Sequence, residues 1–260
     1  MKPSMTEVDV MVGPIEKYLL EKIESEGAIH LTLIDPEKVT ASQAARAAYK
    51  AKLSGTAGIM VGGSTLSSSN HLDSVLKAIK RAVDVPVILF PGNVNGISRH
   101  ADAIWFMSLL NSTDPYFIVG AQILGAPLVK KYRLEPIPMG YIIVGEGGTA
   151  GIVGKAIPVP YDKPEVAVAH ALAGQYLGMR FIYLEAGSGA KRPVPSDMIR
   201  AVKRYINVPL IVGGGIRSRE QALTAASAGA DVIVTGNIVE RADLKHRVSE
   251  IIEGIRRFRL

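Results

Sequence analysis

The chain has no cysteine among its 260 residues, which excludes disulfides, thiolate metal sites and a cysteine nucleophile. It also lacks long apolar runs, because even stretches such as 85–90 are far too short to cross a bilayer. The first residues, MKPSMTEVDVMVG, contain Glu7 and Asp9 and no apolar core behind a basic start, so they do not predict a signal peptide. We therefore expect a soluble, cytoplasmic protein with at most peripheral membrane contact.

A strong excess of charge is missing as well. The sequence has 30 basic and 24 acidic residues, for a net charge of +6. The basic residues are spread over many segments, apart from Arg256, Arg257 and Arg259. They are not interleaved with aromatic residues as in surfaces that stack bases. We expect no nucleic-acid partner, whereas an anionic small molecule or an anionic membrane surface fits this charge equally well.

What the chain does contain is an alternation of short apolar, β-branched runs with alanine-rich, helix-periodic stretches, which is typical of parallel β/α units. Eight runs are predicted as strands: 28–34, 57–61, 87–90, 103–107, 139–144, 181–184, 210–212 and 232–235. Most are continuously hydrophobic, as expected of strands inside a barrel covered by helices. The first run is followed by DPEK rather than G-x-G-x-x-G, which argues against an open doubly wound sheet. We predict a single (β/α)8 TIM barrel over residues 1–260.

Two connections are irregular. PGNVNGISRHAD, between the third and fourth strands, is too short and too rich in Asn and Gly for a covering helix, so the third barrel helix is predicted to be reduced. The segment 145–163, after the fifth strand, contains many glycines and prolines, which predict no regular element before a helix that begins near Pro164. We interpret this segment as a mobile lid.

Three glycine-containing loops follow the last three strands, where TIM barrels commonly bind phosphate with backbone N–H groups. They are AGSGA at 186–190, GGG at 213–215 and Gly236 with Asn237. Glycine is needed where the backbone approaches an anion closely or takes a positive φ. A single loop of this kind could be only a tight turn, but three at one barrel end predict a phosphate site.

Acidic and hydroxyl side chains lie at the same predicted end. Glu185 ends the sixth strand beside AGSG and is suited to act as a general base on a ligand hydroxyl; a structural salt bridge is the alternative. Asp35 and Ser64 follow the first two strands, and one carboxylate with one hydroxyl, water and substrate phosphates is a usual arrangement for magnesium. For these two residues, helix capping is the commoner role.

Other side chains carry weaker signals. The five histidines are scattered along the chain and do not suggest a metal cluster, so none is assigned to catalysis. Trp105, Phe106 and Met107 lie next to the poorly covered connection. They belong either to the core or to an apolar groove that leads to the barrel mouth.

Five motifs together resemble one family. HLTLIDPEK at 30–38, GIMVGGS at 58–64, YLEAGSG at 183–189, VGGGIR at 212–217 and TGN at 235–237 are similar to the geranylgeranylglyceryl phosphate synthases of archaea and to bacterial relatives that use longer prenyl chains. This resemblance implies a prenyltransferase that joins the C3 hydroxyl of sn-glycerol 1-phosphate to geranylgeranyl diphosphate, which forms the first ether bond of archaeal membrane lipids.

The resemblance also implies a role for individual residues. Glu185 would accept the hydroxyl proton, and Asp35 with Ser64 would bind Mg²⁺. The prenyl tail would lie in the groove left by the reduced third helix, and we hypothesise that Trp105 limits its length. The family forms dimers or hexamers, which implies a homo-oligomer. Glycerol phosphate would be held by Tyr183, Leu184, Glu185, Ala186, Gly187, Ser188, Gly189, Gly214, Gly215, Gly236 and Asn237.

Other functions stay open. VGGGIRS and GADVIV are also similar to sugar-phosphate isomerases of histidine or tryptophan biosynthesis. The histidine-pathway barrels repeat their phosphate loop in each half, however, and the third strand here is followed by FPGNVNG. A synthase for a longer prenyl chain is a further possibility. The third is a non-catalytic lipid-binding barrel, although Asp35, Ser64 and Glu185 argue against it.

Overall fold

Eight parallel strands form a closed barrel in sequence order. The structure is a computed structural model that describes residues 12–63, 68–236 and 244–257. Each strand pairs with the next, and β1 pairs with β8 to close the barrel, so the predicted TIM barrel is confirmed. The strands are β1 Ile29–Ile34, β2 Gly58–Val61, β3 Val87–Leu89, β4 Ala103–Leu109, β5 Glu135–Ile143, β6 Phe181–Glu185, β7 Leu210–Gly213 and β8 Val232–Thr235.

Helices surround the barrel. Those within the described ranges are α1 Pro14–Glu26, α2 Ala41–Leu53, α3 Ser69–Ala82, α4 Ala121–Tyr132, α5 Gly148–Val153, α6 Pro164–Tyr176, α7 Ser196–Tyr205, α8 Arg219–Ser227 and α9 Leu244–Arg257. None of these described helices is long and apolar enough to cross a membrane.

The sequence of α3 shows why these segments become helices that cover the barrel. Its buried residues Leu72, Val75, Leu76 and Ile79 recur every three or four positions and so form one apolar face. The Ser68 hydroxyl caps the first turn by accepting the His71 N–H at 3.3 Å. The apolar face of α3 therefore packs onto the strands.

Helix α1 closes the amino-terminal end of the barrel, opposite the predicted site. Its Leu19 is fully buried in the same cluster as the inward-facing strand residues. The Glu135 carboxylate accepts the Ile15 N–H at 2.8 Å and the Glu16 N–H at 2.7 Å, which satisfies the first turn of the helix. Buried Glu16 in turn pairs with Arg180 through two hydrogen bonds of 2.6 and 2.7 Å. Helix α1 thus covers the amino-terminal end of the barrel, and the site lies at the opposite, carboxyl end.

The core has two layers because successive strand residues face opposite sides. In β4, Trp105 belongs to the cluster inside the barrel, and Ile104 belongs to the cluster between strands and helices. β5 begins at Glu135, four residues before its predicted start of 139. Pro136 is exposed and Pro138 is half-buried, so both prolines in this added part of the strand point away from the barrel interior.

Both irregular connections differ from standard β/α units. Between β3 and β4 the chain forms only a 3-10 turn, Val94–Gly96. The third helix of a standard barrel, which would cover β3 and β4, is therefore reduced as predicted. The prediction of no regular element before Pro164 was wrong, because α5 lies within that segment. Its glycines allow close packing rather than breaking the helix: a Cβ on Gly148 would lie 3.3 Å from the Gly187 Cα. The mobility of 145–163 stays a prediction.

Candidate active site

A cavity of about 700 Å³ opens at the carboxyl ends of the strands. One part is walled by the three glycine-containing loops, and another by apolar residues beside the β3–β4 connection. Leu184 and Ala186 pack outward among the helices, so only their backbone could reach a ligand. Ser64 and Asn237 lie outside the described residues. The predicted site residues that line the cavity are Asp35, Trp105, Tyr183, Glu185, Ser188, Gly189, Gly214, Gly215 and Gly236.

The loops after β6 and β7 meet backbone to backbone, and glycine is what allows it. A Cβ on Gly214 would lie 2.6 Å from both the Glu185 Oε1 and the Gly187 N. Gly187, Gly214 and Gly215 also have positive φ angles of 105°, 81° and 75°, which other residues rarely adopt. The two loops therefore form a narrow concave surface of backbone atoms, of the kind that binds anions.

Glu185 lies at this surface and is 7% exposed. Its Oε1 accepts the Gly187 N–H at 2.7 Å. Burial raises the pKa of the Glu185 carboxyl above its usual value of 4.5, and the neighbouring Tyr183 hydroxyl and Gly187 N–H lower it in part. The salt bridges among the described residues do not involve Glu185, which argues against the alternative of a structural salt bridge. A buried carboxylate with a raised pKa is suited to accept a proton.

Aromatic rings surround Glu185. The ring centroids of Phe90, Tyr141 and Tyr183 lie 5.2 to 5.7 Å from one another, and all three residues line the cavity. Burial, and then the charge of Glu185, raise the pKa of Tyr141 well above its usual value. The sequence analysis did not identify Phe90 and Tyr141 as site residues, because each lies in an apolar run that is typical of a buried strand. The only available signal was their position near a strand end.

The apolar part of the cavity occupies the place left by the reduced third helix. Trp105 is fully buried, lines the cavity and packs edge-on against Phe181 with centroids 5.1 Å apart. Farther out, a Cβ on Gly125 of α4 would lie 2.9 Å from the Ile97 side chain, so the missing side chain leaves room for close packing of the groove wall. Trp105 is thus a core residue that also lines the cavity, and its role in a prenyl groove stays a prediction.

Asp35 adjoins the cavity at the end of β1. Its Oδ1 accepts the Glu37 N–H at 3.1 Å, so the capping role considered from the sequence is present. A Cβ on Gly63 would lie 2.7 Å from the same oxygen, which brings the end of β2 beside Asp35 as predicted. Within the described ranges, no group of three or more histidine or acidic side chains could hold a metal ion. Asp35 could supply one hard oxygen ligand.

The described histidines are absent from the cavity lining. His30 instead lies buried between strands: its Nδ1 is 3.0 Å from the Thr56 Oγ1, and its Nε2 is 2.8 Å from the Thr235 Oγ1. Burial lowers the pKa of His30 to about 3. A neutral His30 therefore joins the start of β2 to the end of β8, directly before Gly236.

Comparison with known proteins places this geometry among related chains. The sequence matches the PcrB family over residues 21–255. It is 55% identical to the geranylgeranylglyceryl phosphate synthase of Thermofilum pendens over 247 residues, 95% of this chain and 96% of that protein. It is also 55% identical to the enzyme of that name from Thermococcus kodakarensis over 246 residues, 95% of this chain and 97% of that protein.

A solved structure is similar over nearly the same span. The crystal structure of (S)-3-O-geranylgeranylglyceryl phosphate synthase from Thermoplasma acidophilum, in complex with its substrate sn-glycerol-1-phosphate, matches with a TM-score of 0.91 and 43% identity. The match covers 95% of this chain and all of that one, 100%.

Proposed function

The chain belongs to the PcrB family, and from this premise we propose that it is a geranylgeranylglyceryl phosphate synthase, which joins sn-glycerol 1-phosphate to geranylgeranyl diphosphate and releases diphosphate. The observation that carries the proposal is one cavity that combines a glycine-walled end, a buried glutamate and an apolar groove. A phosphate, an alcohol and a long hydrocarbon chain each find a matching surface there.

We propose that the glycine loops bind the phosphate of sn-glycerol 1-phosphate. Their backbone N–H groups suit an anion, and Gly189, Gly214 and Gly236 all line the cavity. Since Gly214 lies against the Glu185 carboxylate, a bound glycerol phosphate would hold its C3 hydroxyl near Glu185. The contact between the loops after β6 and β7 thus brings the phosphate-binding backbone next to Glu185.

Glu185 then acts as the general base. As the C3 oxygen forms its bond to C1 of the prenyl chain, its proton passes to a Glu185 carboxylate oxygen. The bond between C1 and the diphosphate oxygen breaks, and its electron pair leaves with the diphosphate. Burial keeps bulk water from the carboxylate and raises its pKa, which strengthens it as a base. The groove formed beside Trp105 and Phe106 would hold the rest of the chain.

We further propose that Asp35, with Ser64, binds Mg²⁺. The Asp35 carboxylate lines the cavity and adjoins Gly63, the residue that precedes Ser64 in the sequence. Bound there, the metal would supply positive charge to the diphosphate as it leaves. Asp35 already accepts the Glu37 N–H, which orients its carboxylate for a ligand.

The competing functions explain less of the cavity. A sugar-phosphate isomerase would use the glycine loops but not the apolar groove beside Trp105. A longer-chain synthase differs only in groove depth, which Trp105 limits in our proposal.

Exposed apolar side chains at Val119, Ile123 and Leu124 support the prediction of a homo-oligomer. The dimeric or hexameric state and the cytoplasmic location stay predictions.

The test is a product assay on the purified full chain. With Mg²⁺, sn-glycerol 1-phosphate and geranylgeranyl diphosphate, we expect mass spectrometry to detect 3-O-geranylgeranylglyceryl 1-phosphate in step with released diphosphate. Omitting either substrate is the control, and a 35-carbon diphosphate tests the longer-chain alternative. Diphosphate release without an ether product would contradict the proposal. A rate unchanged by a metal chelator would remove Mg²⁺ from it.

A further inference from the structure

The two substrates of the proposed function bring more negative charge than the glycine loops alone would balance. A phosphate monoester and a diphosphate together carry several charges near neutral pH. Among the described residues that line the cavity, the basic ones are Lys38, Arg217 and Arg247, and the acidic ones are Asp35 and Glu185. The positions of these basic side chains bear on where the phosphate of glycerol phosphate and the diphosphate of the prenyl substrate bind.

Arg217 belongs to the glycerol phosphate end. Its Nη2 donates to the Ala190 carbonyl at 2.7 Å and to the Gly189 carbonyl at 3.2 Å. The guanidinium thus braces the loop after β6 from the loop after β7. Because Arg217 is occupied with loop carbonyls, we assign it to positioning that loop.

Lys38 and Arg247 line the cavity from two other elements. Lys38 ends the 3-10 turn Pro36–Lys38 that follows β1, and its Nζ is 3.9 Å from the Asp35 Oδ2. Arg247 is in the first turn of α9, which packs mainly against α8 and also against α2 and β1. Lys38 is therefore beside Asp35 at the end of β1, and Arg247 lines the same cavity from the helix between α8 and α2.

The chain packs tightly just after β2, next to Asp35. A Cβ on Gly62 would lie 1.8 Å from the Phe90 carbonyl oxygen, so backbone packs directly on backbone there. A Cβ on Gly63 would lie 2.7 Å from the Asp35 Oδ1. Phe90 also leads into the β3–β4 connection, where the apolar groove begins. An anion beside Asp35 would therefore lie where a chain in the groove reaches the mouth.

We propose that Lys38 and Arg247 form the binding subsite for the diphosphate group of the prenyl substrate. This inference rests on the proposed function. Arginine binds phosphate oxygens through paired N–H groups, and lysine acts as a compact point charge. Both would also stabilise the negative charge that develops on the departing oxygen. The subsite adds protein cations to whatever charge a metal at Asp35 supplies.

The experiment measures binding of inorganic diphosphate and of sn-glycerol 1-phosphate to the full chain by calorimetry in magnesium buffer. The variants are Lys38→Met, Arg247→Met and the rescue variant Lys38→Arg. We expect each methionine variant to bind diphosphate about tenfold more weakly, the scale of one hydrogen bond to a charged group. Affinity for sn-glycerol 1-phosphate should stay within about threefold, and Lys38→Arg should restore most of the loss.

Lys50→Met is the matched control. Lys50 is exposed on α2, so the substitution removes the same charge at a position away from the cavity. Diphosphate affinity within twofold of wild type in both methionine variants would overturn the subsite, as would an equal loss of affinity for both ligands or for Lys50→Met. If the wild-type chain made no ether lipid but these binding shifts appeared, the proposed function would fail and the subsite would stand.

Discussion

The substitution Glu185→Gln separates proton acceptance from every other contribution of this side chain. Glutamine has nearly the same shape, and its amide oxygen can still accept the Gly187 N–H that the Glu185 Oε1 accepts at 2.7 Å. The loop after β6 should therefore keep its position against Gly214. What is lost is a carboxylate able to take up the hydroxyl proton.

The size of the effect follows from that loss. A positioned general base contributes roughly a hundredfold to ten-thousandfold in rate, which is about 2.7 to 5.4 kcal/mol of activation free energy. We expect turnover in Glu185→Gln to fall by at least a hundredfold, while the dissociation constant for sn-glycerol 1-phosphate changes by less than about threefold. Glu165→Gln is the control, because Glu165 is exposed on α6.

Single-turnover kinetics with both substrates, measured over a range of pH, provide the assay. Because the folded-state pKa of Glu185 is raised above 4.5, wild-type activity should fall as pH drops through that raised pKa and protonates the base. The variant should lack this acidic limb. Near-normal turnover in Glu185→Gln, or an unchanged acidic limb, would refute the role of Glu185.

Three further predictions test the groove, the glycine loops and the barrel wall. Trp105→Ala should shift the preference from 20-carbon toward 35-carbon prenyl diphosphates, and an unchanged ratio of kcat/KM would remove Trp105 as the limit. Gly214→Ala should weaken sn-glycerol 1-phosphate binding at least tenfold more than Gly178→Ala, since both glycines have positive φ but a Cβ at 178 meets nothing within 4 Å; equal affinities would contradict this. Because the pKa of folded His30 is depressed to about 3, the unfolded chain takes up its proton first, so stability is full above pH 6.5 and falls below it. Urea unfolding from pH 6.5 to 5 should show a loss of up to about 1.4 kcal/mol per pH unit that is missing in His30→Gln, and equal slopes would contradict it.

Much of the fold could be predicted from the sequence because barrel strands are short, continuous apolar runs that differ plainly from the helices around them. The β3–β4 connection was recognisable because too few residues separate two such runs. The predicted β5 began four residues late, and its first residues include two prolines that point outward from the strand; a proline in that position looks the same in sequence as one that ends a strand. The glycines at 147 and 148 misled it at α5, because their close packing on Gly187 exists only in three dimensions.

The site was predictable where chemistry coincides with a strand end. Glu185, Gly214 and Asp35 stand next to recognisable loops, so their shared location followed from the barrel topology. Tyr141 lies inside an apolar run, and only the closed barrel turns its ring toward Glu185. Arg247 lies outside every motif in the sequence and lines the cavity from α9, which packs against α8, α2 and β1.

The central claim is that the loops after β6, β7 and β8 bind a phosphate and hold an alcohol against Glu185. A crystal structure of this chain with sn-glycerol 1-phosphate tests it most directly. We predict the phosphate among the backbone N–H groups of Gly189, Gly214 and Gly236, with the C3 hydroxyl within hydrogen-bonding distance of the Glu185 carboxylate. A ligand bound elsewhere, or a hydroxyl that points away from Glu185 while the phosphate occupies the loops, would contradict the claim.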